Sequence, residues 1–474
     1  MTEPIQMDYR PSSGLPGTRV EQVMQAIRDR IAARLLKPGG RLPSIRSFAQ
    51  SQGVSKSTVV DAYDRLVADG TIASRRGSGF FVAGAAPPLN LAEIGPKLDR
   101  AIDPLWVSRQ SLEAGDRMLK PGCGWLPASW LPQEALLKAM RGLARRGPAS
   151  CLTDYGEPRG LAPLRQWLSR RLGEQGIAAS PDQILLTDSA TQAIDVVCRV
   201  LVGPDDTVLV DDPCYFNFLA MLRAHRARIV SVAYTPSGPD PENFARILAE
   251  HRPRLYITNS ALHNPTGAAL SPANAHRLLN LAEAHGLTVV EDGIFMDFER
   301  EAGPCLAAFD GLERVIHIGS FSKTLSAALR SGFIAARAEW IEGLIDMKLA
   351  TSFGSDPFAA ELVFAVLGDG FYRKHVDALN RRLAQAMGET LERLKALGFT
   401  PWHEPKGGMF LWMKLPGGLD SADLARRALA ENVVLAPGNV FSPSQSARSY
   451  MRFNVAQSRS HRLFTVLDRA LSSR

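Results

Sequence analysis

The sequence predicts two domains of different class: a small α+β head, and behind it a larger doubly wound α/β domain made of two lobes. Three observations carry this. Residues 1–84 hold 12 Lys and Arg against 7 Asp and Glu, so they carry +5 of the formal +7, while the rest of the chain is close to neutral. The apolar pattern changes from helical steps in the head to short continuous runs ending in polar residues further on, the mark of strands buried on both faces. A length of 474 residues accommodates one small and one large domain with a sizeable core.

In the head, Val20, Val23, Ile27, Ile31 and Leu35 recur at three- and four-residue steps, predicting an amphipathic first helix that stops at Pro38-Gly39-Gly40. A second helix begins near Ser44 and stops at Gly53. A third starts at Ser55, a good N-cap, and turns Val59, Ala62, Tyr63 and Leu66 inward. That leaves Lys56, Ser57 and Thr58 on the outer face of its first turn, placed to enter a major groove. The run Thr71 to Val82, with Arg75-Arg76-Gly77-Ser78-Gly79 in its middle, reads as a β-hairpin with a basic tip. A basic patch of this kind suits an acidic partner.

Residues 85–122 are richer in Pro, Gly and Ala, starting with Ala85-Ala86-Pro87-Pro88, and read as a linker. Within it Leu105-Trp106-Val107 suggests a short docking helix. Lys120 to Pro127 reads as an extended arm entering the second domain, residues 123–474.

In that domain Ile184 to Thr187, Arg254 to Thr258 and Leu287 to Asp292 read as buried strands of a seven-stranded doubly wound lobe, about 152–350. A smaller α/β lobe, about 356–474, carries Gly407-Gly408-Met409-Phe410-Leu411-Trp412 and Val434 to Gly438. Lys323 lies in Ser320-Phe321-Ser322-Lys323-Thr324, with Arg330 seven residues on: a lysine amine to condense with an aldehyde, beside hydroxyls and a guanidinium for a phosphate. Asn264-Pro265-Thr266-Gly267 follows one strand, where open α/β sheets bind ligands. Asp292 ends another, as a carboxylate suited to keep a pyridine nitrogen protonated. After Thr187, a small-residue turn through Ser189, Ala190 and Thr191 opens a helix whose N-terminal amides suit a phosphate. Together these motifs point to pyridoxal 5'-phosphate.

This set of motifs resembles the fold-type-I aminotransferases from about Gly122 to the C-terminus. The resemblance implies that Lys323 is the Schiff-base lysine, Asp292 the partner of the ring nitrogen, Asn264 the donor to the ring hydroxyl and Tyr215 the aromatic stacked on the ring. It further implies a phosphate cup of Ala190, Thr191, Ser320, Ser322 and Arg330. Tyr155, of Tyr-x-x-x-x-Gly with Gly160, becomes the tyrosine that reaches the neighbouring subunit's phosphate, hence a homodimer. Arg452 becomes the arginine that grips a substrate α-carboxylate. Three positions depart from the family pattern: Phe295 where a tyrosine is usual, Ser189 for glycine, and Ala327-Ala328 for Pro-Gly.

The head resembles the winged helix-turn-helix of the GntR regulators, on Pro38 to Arg46, Gly53 to Val59, Ala62-Tyr63 with Leu66, Gly70 and the Gly-x-Gly of the wing. The resemblance implies contacts to a double-stranded DNA operator from Arg41, Ser44, Arg46, Ser55, Lys56, Ser57, Thr58 and Gly77. Lys56 stands where arginine is common, which weakens bidentate base reading there. Head and body in this order resemble the MocR subfamily. That arrangement implies a pyridoxal-phosphate-binding transcriptional regulator sensing an amino acid or amine; the alternative is an active aminotransferase with an autoregulatory or vestigial DNA-binding domain, and residual aminotransferase activity stays open.

Cys123, Cys151, Cys198, Cys214 and Cys305 are scattered and odd in number, without metal-ligand spacing, and the nine histidines form no cluster in sequence. No metal is expected. With no apolar run of about 18 residues and no basic-then-apolar leader, a cytoplasmic protein without membrane contact is expected.

Overall fold

Helix caps and apolar spacing together define the head. The computed structural model describes residues 18–32, 35–36, 39–75, 79–83, 104–113, 115, 117–299, 305–368 and 370–472. They divide into two units, 1–90 and 91–474. In the first, α1 (Arg19–Ala32), α2 (Ile45–Gln52) and α3 (Lys56–Ala68) precede an antiparallel hairpin of β1 (Ile72–Arg75) and β2 (Gly79–Val82). Ser44 caps α2 by accepting from Ser47 N, and Ser55 caps α3 by accepting from Thr58 N. Gly53 ends α2 at φ +62°, a left-handed conformation that costs glycine little.

The inward residues Val23, Ile27, Phe48, Val59, Ala62, Leu66, Ile72 and Val82 are buried around Tyr63. Its ring lies 5.8 Å from Phe48 and 4.9 Å from Phe80, and its hydroxyl donates to the Pro43 carbonyl at 3.1 Å. This ties α3 to the segment before α2. The first helix differs from the sequence reading. Its described part ends at Ala32, and Leu35, expected on the apolar face, is 68% exposed. The Leu35 and Leu36 amides both donate to the Arg30 carbonyl, so the chain wraps over the helix end and turns Leu36 inward instead. Gly77, the rest of the hairpin tip, Pro38 and residues 84–103 lie outside the described residues.

The second unit holds an eight-stranded sheet, in the order β3 (Ile184–Thr187), β10 (Gly332–Ala335), β9 (Val315–Ser320), β8 (Thr288–Asp292), β7 (Leu255–Thr258), β4 (Thr207–Asp212), β5 (Arg228–Thr235), β6 (Gly238–Pro239). The five from β9 to β5 are parallel, and the inner ones, β7 and β8 among them, are buried on both faces, which is why those two read as continuous apolar runs; β5 is only partly covered. β3 was read as another parallel strand; it is buried, but its one partner among the described residues, β10, runs antiparallel to it and to β9. Two reversals restore the direction of β3, so Ser189 emerges at the same edge as Asp292 and Ser320. The two-residue β6 makes eight strands instead of seven.

The smaller lobe contains the antiparallel sheet β11 (Thr400–Pro401), β12 (Phe410–Lys414), β14 (Tyr450–Asn454), β13 (Ala436–Pro437). One helix, Phe371–Ala396, serves both lobes. Tyr372 and Val376 belong to the core on the large sheet; Leu379, Leu383, Met387 and Leu394 belong to that of the small sheet. From Pro104 on, the stretch read as linker is part of this unit. α4 (Pro104–Glu113) sinks Val107 into the small-lobe core, and the amides of Leu119 and Gly122 donate to Asn432 and Val434 carbonyls. Among the described residues no helix is long and apolar enough to cross a membrane.

Candidate functional site

At the carboxyl edge of the large sheet a cavity of about 250 Å³ is lined by Ser189, Ala190, Thr191, Tyr215, Asn264, Asp292, Ser322, Lys323 and Arg330. Eight of the eleven positions that sequence placed around a cofactor and its substrate thus share one cavity. Each arrives for a local reason. Asp292 is the last residue of β8, and Lys323 sits in the turn leaving β9. Ala190 and Thr191 open the helix Ala190–Leu201, where first-turn N–H groups have no intrahelical acceptor and the helix dipole favours an anion. Ser189 caps that helix from extended backbone, φ −176°, a conformation any residue adopts, so the serine costs nothing there.

The electrostatics follow from burial. Burial pushes the Asp292 carboxyl up to about 6, against the pull of the Ile294 N–H and the Lys323 charge. Burial pulls the Lys323 amine down to about 8, assisted by the positive Arg452 and Arg330. Lys323 Nζ donates to the Gly124 carbonyl at 2.7 Å. Such opposed shifts in one cavity mark functional sites more often than structural ones.

Behind the cavity Arg452 is 1% exposed. Its Nη1 donates to Asn264 Oδ1 at 2.7 Å and its Nη2 to the Gly122 carbonyl at 2.6 Å, while Phe410 and Phe441 face its guanidinium. Burial lowers it to about 10, which leaves it charged at neutral pH. Its Nε is buried without a partner among the described residues, the kind of orphaned donor that a carboxylate satisfies.

Two expected residues lie elsewhere. Ser320 is not among the lining groups: its hydroxyl donates to the Ser331 carbonyl at 2.8 Å and its oxygen accepts from Ser322 N, so it shapes the turn that presents Ser322. Tyr155 is 81% exposed and packs on Phe353 at 4.7 Å, outside the cavity of its own chain. His263, next to Asn264 in the chain, is not among the lining groups either; its ring stacks on Tyr234 at 3.6 Å. Phe295 does line the cavity, edge-on to Phe410, and offers no hydroxyl.

Sequence reading missed Leu112, Asn217, Phe218, Met221 and Ile294 as lining residues. All but Asn217 are apolar, and only the position of Ile294, two beyond Asp292, hinted at its place. It missed Lys348 as well, a buried amine that burial pulls down to about 8 and that donates to the Pro158 and Leu186 carbonyls.

The residues present fit pyridoxal phosphate. Asp292 is a buried carboxyl with no cation hydrogen-bonded to it among the described residues. A Cβ on Gly332 would lie 2.7 Å from Ser189 C and 2.9 Å from Ala190 N, so the phosphate side is built to a tight tolerance. Arg330 holds φ +46°, a strained conformation for a side-chain-bearing residue and one met at ligand sites.

In the head, Arg41, Ser44, Arg46, Ser55, Lys56 and Ser57 are exposed and Thr58 is half-buried. Arg41 runs antiparallel to Phe81 and lays its guanidinium over Gly79, beside the wing. The hydroxyl oxygens of Ser44 and Ser55 are engaged in capping, and Ser55 Oγ is 2.8 Å from Ser57 Oγ and from Thr58 Oγ1. Ser55 thus holds the first turn of α3 as a unit. Sequence reading placed these residues on one surface without seeing this network.

Comparison with known proteins gives two family matches: aminotransferase class I and II over residues 128–469, and bacterial regulatory proteins, gntR family, over residues 19–82. An uncharacterized HTH-type transcriptional regulator of Escherichia coli (strain K12), YdcR, is 31% identical over 92% of this chain and 95% of its own length. A 2-aminoadipate transaminase of Thermus thermophilus is 34% identical over 70% of this chain and 84% of its own. Among solved structures, the α-aminoadipate aminotransferase LysN of Thermus thermophilus, complexed with N-(5'-phosphopyridoxyl)-L-leucine, matches with TM-score 0.70 at 30% identity. It covers 77% of this chain and 94% of that one.

Proposed function

The chain belongs to the aminotransferase class I and II family and is a gntR-type regulator fused to an aminotransferase-like domain; from this premise we propose that it is a transcriptional regulator that holds pyridoxal phosphate and senses an amino acid or amine. The observation that carries this is the meeting of Lys323, Asp292, Arg330 and the N-terminus of the helix Ala190–Leu201 in one cavity.

When bound, the cofactor supplies an aldehyde for an amine and an electron-withdrawing ring. Lys323 would hold it covalently, and an amine that is close to half deprotonated near pH 8 is able to do so. Asp292 would keep a proton on the ring nitrogen. Asn264 would bond the ring hydroxyl and Tyr215 would cover a ring face. Ala190, Thr191, Ser322 and Arg330 would hold the phosphate. Arg452 Nε supports an α-carboxylate site, because it is the donor left free.

Among the described residues, the charged groups lining the cavity are Asp292, Lys323 and Arg330, each facing cofactor chemistry; the other groups a ligand side chain would meet are uncharged, with Leu112, Trp125, Phe218 and Met221 apolar and Asn217 a neutral amide among them. This supports an amino acid with an uncharged side chain. Tyr155, exposed beside Phe353, supports a homodimer in which it completes the partner's phosphate site. The exposed Arg46, Lys56 and Ser57 support DNA contact by α2 and α3, with the segment before α4 as the link that reports ligand binding to the head.

The test is operator binding with and without cofactor and with a panel of amino acids, alongside keto-acid production by the same preparation. Ligand-dependent DNA binding without turnover supports the regulator; steady keto-acid production with ligand-independent DNA binding rejects it for the aminotransferase reading. The low amine pKa of Lys323 suits that second reading too, since proton transfer needs a free base. A borohydride-reduced adduct should map to Lys323 and vanish in Lys323→Ala; an adduct elsewhere would overturn the site.

A further inference from the structure

Lys323 is held from behind by the helix that joins the two lobes. Thr324, the next residue, is 1% exposed. Its Oγ1 lies 2.9 Å from the Tyr372 hydroxyl, and its carbonyl accepts from His375 Nε2 at 2.8 Å. Tyr372 and His375 lie at the start of the helix Phe371–Ala396. The Tyr372 hydroxyl donates in turn to Asp297, whose carboxylate also receives Arg171 Nη2 at 2.6 Å, and Asn380 Nδ2 donates to the Asp297 carbonyl at 2.9 Å. Because burial and the adjacent Asp297 charge raise the Tyr372 hydroxyl well above its usual value, it keeps its proton. That proton goes to Asp297, so the Thr324 hydroxyl must be the donor toward Tyr372, and the chain of bonds has one direction.

The tyrosine ring is fixed as well, edge-on to Trp167 at 5.7 Å and to Phe321 at 6.0 Å. Phe321, Ser322 and Lys323 are the residues leaving β9, so the ring and the hydroxyl grip one turn from two sides. The far end of the same helix, at Leu383, Met387 and Leu394, packs against the small-lobe sheet. A helix of 26 residues spans roughly 39 Å at 1.5 Å per residue, enough to join the two lobes as one beam.

We propose that Tyr372, with His375, is a positioning residue for Lys323: acting through Thr324, it sets the direction in which the lysine amine meets the cofactor, and so makes that direction depend on where the small lobe stands. This rests on the reading of Lys323 as the cofactor lysine. None of these groups lines the cavity itself, so their effect must pass through the turn and not through contact with ligand.

The test uses the full-length protein loaded with pyridoxal phosphate. Tyr372→Phe removes one hydroxyl and keeps the ring; Thr324→Val removes the other; Thr324→Ser keeps it. Four readouts apply: the visible circular dichroism of the bound cofactor, its dissociation rate, the thermal midpoint of the cofactor-free protein, and borohydride trapping. Tyr372→Phe and Thr324→Val should each change the dichroism and speed cofactor loss by roughly fivefold, the size of one lost hydrogen bond. The double variant should go no further than either single one, and Thr324→Ser should behave as the parent. Additive effects would overturn the proposal, because Tyr372 would then act through Asp297 and not Thr324. So would unchanged dichroism and dissociation in Thr324→Val, which stays informative even if Tyr372→Phe fails to fold. Loss of dichroism only in step with a lowered thermal midpoint would also overturn it, as a purely structural effect. Trapping at another lysine in the parent would instead defeat the cofactor reading, a separate outcome.

Discussion

Gly332→Ala tests the phosphate site by one methyl group. Gly332 starts β10, and a Cβ there would lie 2.7 Å from Ser189 C, 2.9 Å from Ala190 N and 3.0 Å from Gly319 O, all of them backbone. No side chain can swing away, so the methyl must push the Ser189–Ala190 turn off the strand or bend β10 between its two partners. Overpacking of this kind costs about 1–3 kcal/mol. The turn is the looser neighbour, because β10 is bonded to β3 on one side and β9 on the other. The strain should therefore fall on the Ala190 and Thr191 amides that would meet the phosphate. If all of it appears in binding, cofactor affinity drops by about 5- to 150-fold, at 1.4 kcal/mol per factor of ten. The assay is titration of cofactor-free protein with pyridoxal phosphate by absorbance, with thermal melting of the unloaded protein beside it. Gly142→Ala is the control: it lies within the helix Gln133–Arg146 with nothing within 4 Å of a Cβ, so it should leave affinity alone and add about 0.5–1 kcal/mol of stability. Parent-like affinity in Gly332→Ala would refute the assignment of this turn to the phosphate.

Three further outcomes are expected. The Lys323 amine, lowered from 10.5 to about 8, is protonated and unreactive below that pH, so cofactor capture should speed up through pH 8 and level off above it; a midpoint near 10 would mean an exposed amine. Between about pH 8 and 10.5 the unfolded chain holds the proton more tightly than the folded one, so this group makes stability rise with pH across that window. Mixed dimers with Tyr155→Phe in one chain and Lys323→Ala in the other should gather both defects in one site and leave the other competent, whereas a monomer that binds cofactor normally would contradict the shared site. DNA binding should weaken with salt at a log–log slope of about −0.9 per phosphate contact. Arg46→Ala and Lys56→Ala should separate a phosphate contact, which lowers affinity for all sequences and reduces the slope by about one, from a base contact costing about 1–3 kcal/mol at one operator position; equal binding to specific and random duplexes by the parent would sink the interface.

How legible the site was depended on how local its signals are. Asp292, Lys323, Asn264 and Arg330 announce themselves because a strand end or a tight turn fixes each within a few residues. The winged head was readable for the same reason: Ser44 and Ser55 start helices, Gly53 ends one, and Val59, Ala62, Tyr63 and Leu66 keep helical register. Leu35 failed because the helix stopped early and the bonds to the Arg30 carbonyl shifted the phase by one residue. β3 failed because a buried apolar run looks alike in parallel and antiparallel company; its partner residues lie 145 to 151 positions away, with Thr187 opposite Gly332 and Ile184 opposite Ala335.

Nonlocal contacts are also what hid the apolar half of the cavity and the support behind Lys323. Leu112, Met221 and Trp125 meet only after three separate segments have folded together. Tyr372 follows Thr324 by 48 residues and Asp297 by 75, and neither spacing marks it as anything but a core tyrosine. The chemistry of this site is therefore written in short motifs, while its orientation and its choice of ligand are set by residues whose sequence context is silent. A regulator and an aminotransferase are hard to tell apart from the motifs for that reason. The residues to compare between them are those around the turn, at Thr324, Tyr372 and Phe295, and those on α4, where Leu112 reaches the cavity from a helix ten residues long that follows directly on the segment leading from the head. A ligand side chain that presses on Leu112 acts on that helix without any change at Lys323, so Leu112→Ala should uncouple DNA binding from ligand while leaving cofactor affinity as it was. Equal loss of both would place Leu112 in the cofactor site and remove α4 from the path.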